Sequence, residues 1–270
     1  MRDRMLVLSL FPGIGLLDTA FEEEGFCVVR GPDALWGGDV KRFHPPTGKF
    51  DGIIGGPPCQ AHSRFAGINR KVGNRIAEDL IPEFKRCVVE AQPAWFLMEN
   101  VPKVPDVTIH GYKVVRQPLN MRWLGHPQSR LRVWQFGTRT GAHLPIEVAV
   151  FEHMDWEPAC LASEGVSGQI SNSRVNGQQK SIYHRRRDFE RFCTLQGLPS
   201  DFLKDSPFAE KHKYRVVGNG VPLPMGRAIA KAVLKAVTTP AKRSLGKGPR
   251  TKFPRQHDCH NAKKRGKQIS

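Results

Sequence analysis

Three apolar runs, each stopping at residues that neither a strand nor a helix interior favours, constrain this chain more than any other feature. Residues 5–10 run into Phe11-Pro12-Gly13-Ile14-Gly15, residues 51–54 into Gly55-Gly56-Pro57-Pro58-Cys59-Gln60, and residues 94–98 into Glu99-Asn100-Val101. Helical patterns lie between them. Apolar positions 16, 17, 20 and 21 share one face before Gly25, and positions 76, 80, 84, 87, 88 and 91 keep that register over residues 75–91. Buried runs alternating with amphipathic helices argue for a parallel α/β sheet. Further strands are expected at 26–29, 112–115 and 132–137, with another ending at Asp39, and further helices at 188–195 and about 224–236. Open parallel sheets bind ligands beyond the carboxyl ends of their strands, so the three unusual ends point at one place.

Each end has a chemical reading and a plainer one. Gly13 and Gly15 let a ligand approach the backbone where a helix opens. The turn lacks both the third glycine of a dinucleotide fingerprint and the lysine of a phosphate loop, which favours a nucleoside cofactor without phosphates, such as S-adenosylmethionine; a ligand-free structural turn is the alternative. Asp39 would accept from an adenine amino group, or is a solvated turn residue. Cys59, held behind two prolines, is presented as a nucleophile needs to be, although a lone cysteine is more often a small buried hydrophobe. Glu99 sits at the end of an apolar strand, where it would donate a proton or serve as an ion-paired or capping carboxylate.

Charge names the class of partner. The chain has 270 residues, with 42 Lys and Arg against 25 Asp and Glu, a net charge of +17. Such a balance favours a polyanion, nucleic acid first. Residues 241–270 hold ten of those cations and one acid, Asp258, so more than half the excess is in the last ninth of the chain. No apolar run approaches a membrane span, and the N-terminus has no cleavage-like site. The six cysteines (27, 59, 87, 160, 193 and 259) form no C-x-x-C pair, which fits reduced thiols and a cytoplasmic protein. His257-Asp258-Cys259-His260 has no second ligand pair and is read as polar tail, so no metal is expected.

Six motifs in order make the chain resemble the DNA (cytosine-5) methyltransferase family. They are Phe11-x-Gly13-x-Gly15, Gly55-Gly56-Pro57-Pro58-Cys59-Gln60, Phe96-Leu97-Met98-Glu99-Asn100-Val101, Gln128-Ser129-Arg130-Leu131-Arg132, Leu195-Gln196-Gly197-Leu198-Pro199 and Gly218-Asn219-Gly220-Val221-Pro222. The resemblance implies a Rossmann-like, mostly parallel sheet with helices on both faces. It also implies a Cys59 thiolate that adds to carbon 6 of a flipped cytosine. Glu99 would bond the exocyclic amino group and protonate N3, and Arg132 would bind O2 with Arg130 beside it. S-adenosylmethionine would lie against Phe11, Gly13, Ile14, Gly15 and Leu17. Asp39 would meet its adenine, and Pro58, Leu80, Asn219, Gly220 and Val221 would complete its site. The family's ribose glutamate is missing after the second strand, where only Asp33 is available.

The expected organisation is a catalytic cofactor-binding domain over 1–137 and a short irregular target-recognition module over 138–187. Residues 188–239 would complete the cofactor site, and 240–270 form a disordered basic tail. The basic run from Arg174 to Arg187 would face the DNA. The expected partner is double-stranded DNA, with no membrane, and the chain is expected to act as a monomer. Alternatives are an RNA cytosine methyltransferase, a catalytically silent DNA-binding regulator on the same scaffold, and, with less support, a cysteine hydrolase using His62.

Overall fold

Strand β1 (Leu6–Leu10) turns Val7 to one side of a sheet and Leu8 and Leu10 to the other, and each side is a separate apolar core. β3 (Gly52–Gly55) repeats this with Ile54 and Ile53, and β4 (Trp95–Asn100) with Trp95 and Leu97 against Phe96 and Met98. Strands covered on both faces read as continuous apolar runs, which is how these segments read in sequence. The computed structural model describes residues 4–58, 78–149, 156–167, 171–175, 178–182 and 186–239, with residues 167, 171–175 and 178–182 described by backbone only. Met1–Thr239 forms one unit. The second, Pro240–Ser270, lies outside the described residues, and so do the readings of the basic tail and of His257–His260.

The six-stranded sheet has the order β2-β1-β3-β4-β7-β5, with β2 at Cys27–Arg30, β5 at Lys113–Asn120 and β7 at Leu131–Thr138. The two-residue strands β6 (Gln128–Ser129) and β8 (Glu157–Pro158) pair with each other. β2, β1, β3 and β4 are parallel, whereas β7 runs antiparallel to both β4 and β5. Helix α1 (Leu16–Glu23) and the long C-terminal helix at Leu223–Thr238 pack on one face, and α2 (Ile81–Ala91) on the other. A third cluster joins Leu16 and Ala20 of α1 to Phe192, Leu195, Tyr214, Val217 and Leu223 of the C-terminal segment.

Several local expectations are revised. No strand ends at Asp39: Ala34–Trp36 and Val40–Arg42 are single 3-10 turns. The Asp33 and Asp39 carboxylates each accept the backbone N–H two residues on, and Gly37 between the turns has φ 79°. Helix α2 starts at Ile81 rather than 75, because Pro82 is tolerated only in a first turn. Leu80 therefore precedes the helix, and positions 75–77 lie outside the described residues.

Within the stretch read as irregular, β9 (Ser171–Val175) and β10 (Gln178–Ile182) pair antiparallel. The two residues between them are Asn176-Gly177, a pairing that favours hairpin turns. Arg187 is also revised, from a DNA-facing cation to a buried one. Its guanidinium holds both carboxylate oxygens of Glu164 (2.7 and 3.1 Å) and the carbonyl of Pro158. Glu164 is fully buried, and the pair ties residues 157–164 to the C-terminal helices.

Candidate active site

The carboxyl ends of β1, β3 and β4 lie side by side: Leu10 is the register partner of Gly55, and Gly55 of Met98. Because β7 is antiparallel, its beginning lies at this same edge, with Val133 opposite Asn100. Residues just past three strand ends and just before a fourth therefore surround one cleft of about 720 Å³, a size suited to a small ligand.

One wall is the turn after β1. Phe11 (φ 58°), Gly13 (φ 56°) and Gly15 (φ 80°) are all left-handed, so the chain reverses tightly into α1. Phe11, Gly13, Ile14 and Leu17 line the cleft. Gly15 caps α1 without being on the wall. The Gly13 peptide is held on both sides: its N–H donates to Asp33 Oδ2 (2.8 Å), and its carbonyl accepts from the Trp36 indole (2.7 Å). Asp33 and Asp39 line the cleft beside it.

Beneath this wall Asp18 is completely buried and accepts from the Ser9 hydroxyl (2.5 Å) and from Arg30 Nε (3.1 Å). Burial raises its carboxyl above the ordinary range, against the pull of Ser9 and Arg30. Asn219, Gly220 and Val221 form a further stretch of wall. A Cβ on Gly220 would lie 2.6 Å from Leu16 Cδ1, so this segment presses directly on the first turn of α1.

The opposite end of the cleft carries reactive groups. Gly56, Pro57 and Pro58 follow β3, and Leu80 lies near them on the wall. Asn100, buried at the end of β4, donates from its side chain to the Pro57 carbonyl (3.1 Å), tying this loop to the adjacent strand. Cys59 follows Pro58 in sequence and lies outside the described residues, as does His62. Glu99 Oε1 is 2.8 Å from Arg132 Nε. Both side chains are mostly buried (14% and 19% exposed), so this is not a solvent-screened surface pair. A Cβ on Gly56 would meet Glu99 Oε2 at 3.1 Å, so that glycine leaves room for the carboxylate.

Arg130 and Arg132 both border the cleft, but their guanidinium groups have different partners. Arg130 is 2% exposed, and its guanidinium donates to the carbonyls of Cys160 (2.7 Å), Gly218 (2.9 Å) and Gly220 (3.1 Å). Gln128, two residues earlier, donates to Leu195 O (2.6 Å) and to the Gln196 side chain. Gln196 in turn reaches Val217 O (2.7 Å). The Gln-x-Arg-x-Arg segment thus anchors the C-terminal wall with its first two polar side chains and reaches Glu99 with the third.

Sequence reasoning missed the outer wall, Phe208, His212 and Arg215. They belong to and precede a helix, Glu210–Asn219, that charged residues disguise. Tyr214 and Val217 are the buried pair at helical spacing that marked it. Phe208 also packs against Trp36, with ring centroids 6.3 Å apart.

A mostly parallel sheet opening at its carboxyl edge onto a glycine turn, with a carboxylate-arginine pair at the far end of the cleft, defines a Rossmann-like α/β protein with an enzyme-like cleft. The fold agrees with a methyltransferase of Entamoeba histolytica, EhMeth (TM-score 0.59, 12% identity, covering 88% of this chain and 100% of that one). Residues 37–158 match the C-5 cytosine-specific DNA methylase family. The chain is 35% identical to the type II methyltransferase M1.HphI of Haemophilus parahaemolyticus, over 70% of each. It is 31% identical to M.MthTI of Methanothermobacter thermautotrophicus, over 86% of this chain and 97% of the relative. It spans about half the length of three other type II methyltransferases (47% to 53%). The chain belongs to the C-5 cytosine-specific DNA methylase family and is a DNA (cytosine-5-)-methyltransferase. Among the described residues, no helix is long and apolar enough to cross a membrane.

Proposed function

We propose that this enzyme methylates carbon 5 of a cytosine turned out of double-stranded DNA, through a transient covalent bond between Cys59 and carbon 6. Carbon 5 of cytosine is a weak nucleophile. Addition of the Cys59 thiolate to carbon 6, with protonation at N3, converts the ring to an enamine whose carbon 5 can attack an electrophilic methyl group. S-adenosylmethionine supplies that methyl group. Loss of the carbon 5 proton to a base then re-forms the double bond and expels the thiolate. These atoms are inaccessible within a stacked duplex, so the target base must leave the helix.

The Arg132–Glu99 pair carries this reading. A carboxyl group beside a guanidinium, both at the end of the cleft reached by the Pro57-Pro58 loop, matches a base that offers N3, an amino group and O2 along one edge. Glu99 would donate to N3 and accept from the amino group, while Arg132 would donate to O2. At the other end, Asp33 and Asp39 are acceptors suited to ribose hydroxyls and an adenine amino group, and the Gly13 turn admits the remainder of the cofactor. Leu17, Leu80 and Val221 add apolar wall. Arg130 would act as a positioning residue for the Gly218–Gly220 turn.

The test combines chemistry with location. Cys59→Ala should abolish transfer of labelled methyl groups to duplex DNA while leaving the circular dichroism spectrum and cofactor binding intact. Sequencing DNA from expressing cells for 5-methylcytosine should show modification at a defined motif. Persistence of transfer in Cys59→Ala would remove Cys59 as the nucleophile, and transfer confined to RNA would remove DNA as the substrate.

A further inference from the structure

We infer that Arg215 binds the carboxylate of the cofactor's methionine portion, an assignment that rests on S-adenosylmethionine being the methyl donor. The charged groups around the cleft are nearly all committed. Arg130 is spent on three carbonyls, and Arg132 is paired with Glu99 at the base-binding end of the cleft. Among the acids, Asp18 is held by Ser9 and Arg30, and Glu78 by Lys41. Arg215 borders the same cleft, is exposed, and has no hydrogen bond or ion pair from its side chain among the described residues.

The cleft is also polarised. Its Asp33–Asp39 side offers carboxylates, which suit the neutral adenosine half of the cofactor and would repel an anion. The cofactor's single carboxylate is drawn instead to a cation on the wall that has no partner among the described residues. Arg215 shares its helix with Asn219, which lines the cleft next to Gly220, the residue in contact with Leu16 of α1. Arg215 lies four residues before Asn219, the last residue of its helix, which is about 6 Å along the axis and on the same helical face. A guanidinium at that distance can reach a carboxylate seated against Asn219 and bind it through two parallel hydrogen bonds.

Two ligands separate this role from others. S-adenosylhomocysteine carries the amino-acid carboxylate, whereas 5′-methylthioadenosine lacks the amino-acid portion. In calorimetric titrations of the full chain without DNA, Arg215→Ala should weaken S-adenosylhomocysteine about tenfold or more. It should change 5′-methylthioadenosine by less than about twofold, and Arg215→Lys should recover part of the loss. Equal weakening of both ligands, or no weakening of either, overturns the assignment. So does a loss of duplex DNA affinity with S-adenosylhomocysteine binding unchanged, which would make Arg215 a phosphate contact. If the unmodified protein binds neither ligand, the cofactor reading fails first and the assignment falls with it.

Discussion

Arg132 Nε lies 2.8 Å from Glu99 Oε1, joining the end of one strand to the beginning of its antiparallel neighbour. The two residues are 33 positions apart in sequence, and only the reversal of β7 brings them to the same edge. Glu99→Gln removes the proton donor while keeping the shape, and Arg132→Ala removes the partner. Each should lower kcat on the order of 10²-fold or more in steady-state methyl transfer. Their combination should cost much less than the product of the single losses, because the two act on one base. Multiplicative losses would show that the pair does not work as a unit.

Arg130 should behave differently. Replacing it with Ala strips the buried carbonyls of Cys160 and Gly218 of this donor, and Gly220 of one of two, and should cost about 2–3 kcal/mol in urea unfolding. Arg130→Lys should recover some of that. A variant with unchanged stability would contradict the structural role.

Asp18 gives the fold a pH dependence of known sign. Its buried carboxyl is raised above the ordinary value, so the unfolded chain releases this proton first. The group's contribution to stability is complete below the unfolded value of about 3.9 and is lost as pH rises through the higher folded value. Asp18→Asn does not titrate. The Tm of the Asn variant relative to the parent should therefore increase between about pH 4 and pH 7. A constant difference across that range would exclude the effect.

Burial pushes the thiol of Cys87 up to about 11 and those of Cys160 and Cys193 to about 12. At pH 8 all three should resist iodoacetamide in the native protein, whereas exposed Cys27 should be modified. Peptide mapping by mass spectrometry reads the result directly, and the protected three should react once the chain is unfolded.

Residues 241–270 carry a net charge of +9. Truncation after Thr239 should weaken duplex binding, flatten its dependence on salt and leave the methylated sequence unchanged, as expected of contacts to phosphates alone. A changed target sequence would give the tail a reading role.

Much of this was legible in one dimension because it depends on local chemistry. Short continuous apolar runs, as expected of strands covered on both faces, placed β1, β3 and β4. Gly13 and Gly15 marked a turn that requires left-handed backbone, and the residues beyond three strand ends marked the cleft. Asp39 was misplaced on a strand because a short Asp-capped 3-10 turn and an extended segment look alike without their hydrogen bonds. The helix ending at Asn219 was hidden because charged side chains cover its exposed side, so Arg215 was not recognised.

The sequence alone therefore determined the parallel α/β core, the family motifs and the candidate reactive groups. Only the tertiary structure decided which cations are available. Arg130 and Arg187 carry the same charge as Arg132 and Arg215, yet both are spent inside the protein, on carbonyls and on Glu164. Charge is a property of the residue, but whether it meets solvent, a ligand or a buried partner depends on long-range packing. Here that packing is set by the antiparallel return of β7 and by the C-terminal segment closing over α1.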